Sequence, residues 1–454
     1  MSVVPPSCQL VRTVMLAVAF ASTLLVGRGQ DEEPAIDTQP DNSPERFFVE
    51  ISGRTNPPKV RAIAPIDDAN VFFLNQRGQA GVAKFSPGLS LIGWEFYTEV
   101  KLNALASLAI GPKYSLITAS PEELTQSFDT DQDGQLDFFE ALSRDWTGRS
   151  EGVRITAGPV ADENGRILIA LSPYASEEGT APLARIVAWS PDMGSLVTVM
   201  ESQLVISSFA LGADRLLAAR LLMPNYEDGY YVSLTELPPF DPKEPDAAPE
   251  YIPQTSPSLL IPAELTRGKP PTQMCFFHEH GREKLLVTCP ESQQLIEIVP
   301  TKVIDASQAT QGWQGSILLR SITDGPVETM VELHPGALLG GGDNGFVPLD
   351  INPEVFRITQ VNEVTDGIIL RFSEEVDRLQ SVNPDSYTVK SVSLRGENST
   401  LEVSPVIESD GRTVILKTTE LTDGTVLSVV CLNVPSASGK KLLSASVFYT
   451  IHQR

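Results

Sequence analysis

The sequence predicts an all-β protein: a six-bladed β-propeller followed by an Ig-like β-sandwich. Two observations predict this fold class. Across residues 59–349, an apolar segment, a turn and a buried-looking strand recur several times, 47 residues apart in the strong copies and roughly 50 to 65 residues apart in the weaker ones, a period that is typical of propeller blades. Across residues 350–454, short alternating strands follow one another with Asp-Gly turns between them. That second pattern is typical of an Ig-like sandwich.

Residues 1–29 are predicted to be a signal peptide. The apolar run 13–26 follows Arg12 and has 14 residues, fewer than the ~20 that a membrane-spanning helix needs. Segment 30–58 is acidic and contains several prolines, which predicts a partly ordered lead-in. We therefore expect an exported protein, located in the periplasm, at the cell surface or outside the cell, that does not span the membrane after signal cleavage.

The propeller prediction for residues 59–349 depends on three strong and three weaker copies of the repeat. In the strong copies the turn ends in a proline, and these prolines are 47 residues apart (65, 112 and 159). The six copies begin at Ala62, Ala109, Thr156, Phe209, Cys275 and Val331. Six copies predict six blades. The alternative is an irregular array of β-sandwiches, since the later copies are weak.

Residues 238–262 interrupt the repeat with eight prolines. Proline removes a backbone donor and favours extended, solvated chain, so this stretch is predicted to be a surface insertion.

Cys275 and Cys289 flank a predicted hairpin that turns near residues 279–282. A cross-strand disulfide and two buried free thiols are both compatible with this placement.

Residues 129–140 carry the ligand register of an EF-hand calcium loop. With Asp129 as position 1, carboxylates stand at positions 1, 3, 5, 9 and 12, and Gly134 stands at position 6, where the chain must turn sharply. The predicted metal ligands are Asp129, Asp131, Asp133, the backbone carbonyl of Gln135, Asp137 and Glu140. Calcium is the expected cofactor because it takes six to eight oxygen ligands.

The calcium is expected to be structural. Without it, five like charges crowd one loop and repel each other. The residues before the loop predict a strand rather than a helix, which favours a calcium loop inserted in a β-domain over a helix–loop–helix unit. An acidic surface turn is the alternative, since Asp and Gly are common turn residues.

The C-terminal region 350–454 is predicted to contain six strands with alternating apolar residues. They are residues 356–361, 367–372, 386–392, 413–417, 426–432 and 446–451.

The net charge of −24 argues against nucleic acid as a partner, because phosphate binding needs a basic surface. The expected partners are calcium and a carbohydrate or a cell-envelope protein.

Two stretches resemble a known family. The run from Phe128 to Glu140, with the Gly158-Pro159 pair downstream, resembles the exported glucose/sorbosone-dehydrogenase-like propeller proteins of bacteria. The runs 372–377 and 383–389 resemble the bacterial Ig-like domains appended to such propellers. The resemblance implies a calcium-bearing propeller, and enzymatic members of the family oxidise sugars with pyrroloquinoline quinone.

The sequence favours a binding or scaffold module over an enzyme, and no catalytic residue is predicted. The chain contains only four histidines, whereas the family's enzymes use a histidine base in the propeller funnel. The alternative function is a quinone-dependent sugar oxidoreductase, or a lactonase, with its site in that funnel.

Overall fold

The computed structural model describes residues 58–98, 100–102, 107–111, 115–131, 133–144, 152–173, 183–190, 196–222, 229–239, 252–255, 258–279, 281–304, 310–349, 355–393, 398–418, 421 and 425–451. The predicted signal peptide and almost all of the predicted lead-in lie outside these residues. The described chain is all-β, as predicted, and consists of many small sheets. None of its helices is long and apolar enough to cross a bilayer.

Three four-stranded antiparallel sheets and one sheet with an added edge strand account for the first part of the chain. The first contains β1 (Val60–Pro65), β2 (Asn70–Asn75), β3 (Ala80–Phe85) and β4 (Leu91–Phe96). The second contains β5 (Leu108–Ile110), β6 (Leu116–Ala119), β7 (Leu124–Phe128) and β8 (Phe138–Ser143). The third contains β9 (Val153–Ala161), β10 (Ile167–Pro173), β11 (Ala184–Trp189) and β12 (Val197–Ser202), with β16 (Gln254–Thr255) added in parallel at its edge. The fourth contains β13 (Val205–Leu211), β14 (Leu216–Leu222), β15 (Gly229–Glu236) and β17 (Leu259–Pro262).

The fifth and sixth sheets follow a short helix, α1 (Ala263–Thr266). The fifth begins with β18 (Met274–Glu279), β19 (Arg282–Cys289), β20 (Gln294–Ile304) and β21 (Thr310–Ile322). The sixth contains β22 (Val327–His334), β23 (Ala337–Gly342) and β24 (Gly345–Pro348). Strands in each of these six sheets are paired in chain order, which is the strand arrangement of a propeller blade.

The first strands of the six sheets contact one another in a closed ring. β1 contacts β5, β5 contacts β9, β9 contacts β13, β13 contacts β18, β18 contacts β22, and β22 contacts β1. Each of the six sequence repeats coincides with the first two strands of one sheet. The ring therefore joins the beginning and the end of the repeat region.

The Pro-rich stretch 238–262 is only partly described, and its end is a strand. Leu259, Leu260 and Ile261 of β17 are buried, and the strand pairs with β15 at the edge of the fourth sheet. Residues 254–255 and 259–262 of the stretch expected to be a surface insertion are therefore sheet strands. Proline is tolerated at the ends of an edge strand because no neighbour needs its missing N–H.

The C-terminal strands form two sheets around one apolar core. One sheet contains β25 (Ile358–Val364), β26 (Gly367–Phe372), β30 (Thr413–Lys417) and β29 (Ser404–Ile407). The other contains β32 (Ser446–Thr450), β31 (Thr425–Cys431), β27 (Tyr387–Ser393) and β28 (Asn398–Leu401). A short helix, α2 (Arg378–Ser381), precedes β27. Buried residues of both sheets, among them Leu370, Leu416 and Val429, belong to one cluster.

The C-terminal region continues the fifth sheet. Strand β21 pairs with β32 from Gly315–Thr450 to Leu318–Val447. This pairing joins four strands of the fifth sheet and four C-terminal strands into one eight-stranded sheet. The two regions are therefore connected by backbone hydrogen bonds, in addition to side-chain packing.

Candidate metal centre

The predicted calcium loop joins two strands of the second sheet. The last pair of the β7–β8 hairpin is Phe128–Phe138, and the two rings are 6.1 Å apart between centroids. The described residues between them, 129–131 and 133–137, belong to the connecting loop. The loop is thus set in a β-sheet, as its sequence context predicted, and the flanking elements are strands.

Three aspartates of the loop converge. Carboxylate oxygens of Asp129, Asp131 and Asp133 all lie within 4.8 Å of one another. Asp129 is half-buried, and the other two are exposed. Three carboxylates at this separation repel one another in water and suit a hard divalent cation. The donor set therefore fits calcium at its first three predicted ligands.

Hydrogen bonds from backbone N–H groups to these carboxylates hold the loop in a tight turn. The N–H of Gly134 donates to Oδ2 of Asp129 at 3.0 Å, and that of Gln135 donates to Oδ1 of Asp133 at 2.8 Å. Gly134 has φ 86°, a conformation that costs a residue with a Cβ about 1–2 kcal/mol. The glycine expected at position 6 of the calcium register therefore occupies the turn that requires it.

The loop is anchored to the end of the first sheet. Leu136 is buried, and its N–H donates to the carbonyl of Tyr97 at 2.7 Å. The side-chain amide of Gln135 donates to the carbonyl of Phe96 at 3.3 Å. The Tyr97 hydroxyl donates to Oδ2 of Asp129 at 3.3 Å. Burial, and then the negative charge of Asp129, raises the pKa of Tyr97 well above its usual value, so this hydroxyl remains a donor.

The remaining predicted carboxylate ligands lie elsewhere. Both oxygens of Asp137 accept hydrogen bonds from Thr130, one from its N–H at 3.0 Å and one from its hydroxyl at 2.7 Å. The bond from the Thr130 hydroxyl lowers the pKa of Asp137. Glu140 is exposed in strand β8, opposite Gln126. Neither residue belongs to the group of three converging carboxylates.

A histidine–carboxylate pair links the first strands of the fifth and sixth sheets. Nδ1 of His278 in β18 lies 2.9 Å from Oε2 of Glu332 in β22. The other oxygen of Glu332 accepts the N–H groups of His278 and Gly336 at 2.7 and 2.8 Å. The hydrogen bond with Glu332 raises the pKa of His278. This arrangement orients the imidazole and leaves 43% of its side chain exposed.

Five charged side chains form a buried ion cluster where the fifth sheet meets the C-terminal region. They are Glu279, Lys284, Glu297, Arg320 and Arg357. Nζ of Lys284 lies 2.6 Å from Glu279 and 2.7 Å from Glu297. Nη1 of Arg320 lies 2.6 Å from Glu297, and Arg320 also bonds Glu279. The side chains of Glu297 and Arg320 are 0% and 1% exposed, so each charge depends on its partners for stabilisation.

Arg357 joins this cluster from the C-terminal region. Its guanidinium lies 3.6 Å from Glu279 and 3.8 Å from Glu297. Burial opposes the charge on Glu279, but hydrogen bonds from Arg320 and Lys284 lower its pKa to about 2. The ion cluster therefore adds an electrostatic connection beside the shared sheet.

The cysteines that are described are free thiols. Cys275 of β18 pairs with Leu286 of β19, and Cys289 follows Leu286 by three residues in β19. Because side chains alternate between the two faces of a strand, the two thiols lie on opposite faces. The hairpin itself turns where the sequence predicted, between Glu279 and Arg282.

Tyr97 and the His278–Glu332 pair were not identified from the sequence. Tyr97 and Asp129 are 32 residues apart, and His278 and Glu332 are 54 apart. No local pattern marks such pairs. Only the rarity of histidine in the chain singles out His278.

No family model and no curated protein matches this sequence. Among solved structures, the alignment with a glucose dehydrogenase covers 66% of this chain and 97% of the glucose dehydrogenase, at 13% identity and a TM-score of 0.41. The alignment with a gluconolactonase from Xanthomonas campestris covers 64% of this chain and 86% of the gluconolactonase, at 12% identity and a TM-score of 0.40. The alignment with the PQQ domain of a pyranose dehydrogenase from Coprinopsis cinerea covers 65% of this chain and 95% of that domain, at 10% identity and a TM-score of 0.40. Sequence identities and TM-scores this low assign no activity to the chain.

Proposed function

We propose that the chain is an exported, calcium-binding six-bladed β-propeller with a C-terminal Ig-like domain, and that it serves as a binding or scaffold module. The observation that carries this proposal is the convergence of Asp129, Asp131 and Asp133 within 4.8 Å in the loop between β7 and β8. Oxygen ligands on alternate residues, followed by a glycine in a left-handed turn, form the first half of a calcium loop.

Six blades are supported by the closed ring of contacts between the first strands of six sheets. An Ig-like domain is supported by the two C-terminal sheets and the apolar core that they share. Export is proposed from the N-terminal apolar segment of the sequence.

The proposed calcium role is structural. A bound calcium ion supplies two positive charges, which remove the repulsion between the three aspartates. The chain's own contribution is to hold the loop against the first sheet, through Leu136 and Gln135. Extracellular calcium is abundant enough to fill even a site with a Kd of about 10⁻⁴ to 10⁻³ M.

Thermal unfolding tests the structural role. In calcium at about ten times the Kd, the free energy of unfolding is expected to rise by about 1.4 kcal/mol relative to chelator-treated protein. The Asp131→Asn variant should unfold at one temperature in both conditions. An unchanged melting temperature of the unsubstituted protein across the calcium range would contradict the proposal.

The second candidate function is a sugar oxidoreductase or a lactonase. The names of the overlapping structures fall in this class. The observation in this chain that favours it is the His278–Glu332 pair, since a carboxylate that orients a partly exposed imidazole is an arrangement used for general bases. The pair lies in the ring of first strands.

Turnover assays test this candidate. Hydrolysis of sugar lactones and quinone-dependent oxidation of sugars should be measured for the protein and for the His278→Gln variant. The candidate predicts turnover that falls at least about 100-fold in the variant, the usual contribution of a general base. His334→Gln is the matched control. Lack of turnover with both substrate classes would contradict it.

A further inference from the structure

A pocket lies at the first sheet, and its lining comes from the residues before β1, the β2–β3 turn and the end of β4. Its volume is about 310 Å³, and its lining comprises Pro58, Lys59, Asn75, Gln76, Arg77, Gln79 and Phe96. This volume is at the lower end of ligand-binding pockets, about 300–1,000 Å³. The pocket therefore has room for a ligand of about the size of one sugar ring.

The turn between β2 and β3 holds the polar part of the lining in place. The side chain of Asn75 is buried, and its Oδ1 accepts the N–H groups of Arg77 and Gln79 at 2.8 and 2.9 Å. Its amide nitrogen donates to Oε1 of Gln79 at 3.2 Å. These bonds fix the turn and direct the free end of the Gln79 amide, its nitrogen, away from Asn75.

Asp343, which is outside the lining, bonds two lining residues. Its Oδ1 accepts from Nζ of Lys59 at 2.9 Å and from the side-chain amide of Gln76 at 2.7 Å. The hydrogen bond from Lys59 lowers the pKa of Asp343. Asp343 belongs to the β23–β24 turn of the sixth sheet. Its two hydrogen bonds therefore connect the first and last sheets of the repeat region.

The remaining hydrogen-bonding groups are mostly donors. Among the described residues, no contact engages the exposed guanidinium of Arg77 or the amide nitrogen of Gln79. The amide oxygen of Gln76 is left as an acceptor, since its nitrogen bonds Asp343. Lys59 is paired with Asp343 and also interacts with Glu328, so Arg77 is the positive charge of the lining that no carboxylate of the described residues pairs with.

The apolar part of the lining is Phe96 and Pro58. The ring of Phe96 is half-buried and packs edge-on against Trp94, with 5.0 Å between ring centroids. This packing limits the motion of the Phe96 ring. An apolar wall beside a cluster of donors suits a ligand that combines C–H faces with acceptor oxygens.

We propose that this pocket binds a carboxylated sugar ring. The guanidinium of Arg77 takes the carboxylate, since its planar donors match the two oxygens. The amides of Gln76 and Gln79 take ring hydroxyls, and the C–H groups of the ring pack on Phe96. The proposal rests on the proposed binding role and names its ligand class.

The pocket is also in contact with the acidic loop. The side-chain amide of Gln135 bonds the carbonyl of Phe96 at 3.3 Å. An ordered loop therefore supports the Phe96 wall. Calcium and sugar are titrated separately, so that failure of the calcium site and failure of the pocket are distinguishable.

Isothermal titration tests the proposal with four probes: D-glucuronate, D-galacturonate, D-glucose and acetate, added to the calcium-saturated full chain. At least one uronate is expected to bind about tenfold or more tightly than glucose and acetate, the effect of a charge-assisted hydrogen bond. Arg77→Gln should weaken uronate binding about tenfold or more. This substitution retains the N–H that bonds Asn75. Arg412→Gln, an exposed substitution in the β29–β30 turn, is the control and should leave the affinity unchanged.

Four results would overturn the proposal. Equal affinity for acetate and uronate would mean that the pocket recognises only an anion. Equal affinity for glucose and uronate would mean that Arg77 does not bind the carboxylate. An unchanged affinity in Arg77→Gln would mean the same. No binding of either uronate at concentrations of tens of millimolar would mean that the pocket does not bind carboxylated sugars. A uronate result that is the same in calcium and in chelator leaves the pocket proposal intact and argues only against support from the loop.

Discussion

The hydroxyl of Tyr97 donates a hydrogen bond to Oδ2 of Asp129 at 3.3 Å, and this bond ties the end of the first sheet to the first residue of the acidic loop. The same oxygen accepts the N–H of Gly134 at 3.0 Å. The position of Asp129 is therefore set by two donors from different parts of the chain. A third partner, the proposed calcium ion, would meet a carboxylate that is already oriented.

The Tyr97→Phe variant should remain folded and lose about 1 kcal/mol in the free energy of unfolding, the net contribution of one hydrogen bond. Urea denaturation measures the loss. Tyr230→Phe, at a half-buried residue away from the loop, is the control. Equal stability of Tyr97→Phe and the unsubstituted protein would show that the Tyr97 hydroxyl does not hold the loop.

Gly134→Ala is expected to destabilise the protein by about 1–2 kcal/mol, because φ at this position is 86°. Gly439→Ala is a matched control, since Gly439 has φ 85° and a Cβ there meets nothing within 4 Å. Both variants should lose similar stability, but only Gly134→Ala should weaken calcium binding. Retained calcium affinity in Gly134→Ala would argue that the turn is not part of the metal site.

Glu297→Gln should cost about 3–5 kcal/mol, because it leaves Arg320 and Lys284 buried with half of their compensating charge. Denaturant unfolding gives the value, and Glu402→Gln, at an exposed position between β28 and β29, is the control. A cost below about 1 kcal/mol would mean that the cluster contributes little to the junction between the fifth sheet and the C-terminal region.

The stability of the protein should fall in acid partly because of Glu279. Its folded pKa of about 2 lies below the usual 4.5, so its ionised form is stabilised by folding. That contribution is fully present above about pH 4.5 and is lost as the pH falls towards 2. Free energies of unfolding between pH 6 and pH 2 should therefore decline less steeply in Glu279→Gln. Parallel slopes would contradict the assigned pKa.

The imidazole of His278 should titrate above its usual value of 6.5, because the hydrogen bond with Glu332 favours the charged ring. Its stabilising contribution is present below about pH 6.5 and disappears as the pH rises through the folded pKa. An NMR titration of the ring protons measures the pKa directly. In Glu332→Gln the pKa should move down, and an unchanged value would show that the pair is not formed in solution.

Much of the fold follows from local sequence patterns. All six repeats coincide with the first two strands of a sheet, and the six predicted C-terminal strands are all present within a few residues. Strands β28 and β29 were not predicted, because Asn398–Leu401 is polar and Pro405 interrupts the next segment. The sequence places strand β17 in a surface insertion, because prolines border it on both sides.

The candidate site was predicted only in its local part. Alternate aspartates followed by glycine indicated the three converging carboxylates. Where the remaining carboxylates lie depends on pairing that the sequence does not reveal: Glu140 is held in strand β8 opposite Gln126, and Asp137 is engaged by Thr130. Contacts such as Tyr97–Asp129 and Lys59–Asp343 join distant parts of the chain, so they emerge only from the folded structure.

Calorimetric titration of calcium into the chelator-treated protein is the most direct test of the proposed calcium site. We expect calcium to bind at one site with a Kd no weaker than about 10⁻³ M. Heat should be lost in Asp131→Asn and retained in Asp410→Asn, a turn aspartate of the C-terminal region. Glu140→Gln then reports whether the strand residue completes the site. The absence of binding heat up to several millimolar calcium, or identical heats in Asp131→Asn and Asp410→Asn, would contradict a calcium site at residues 129–140.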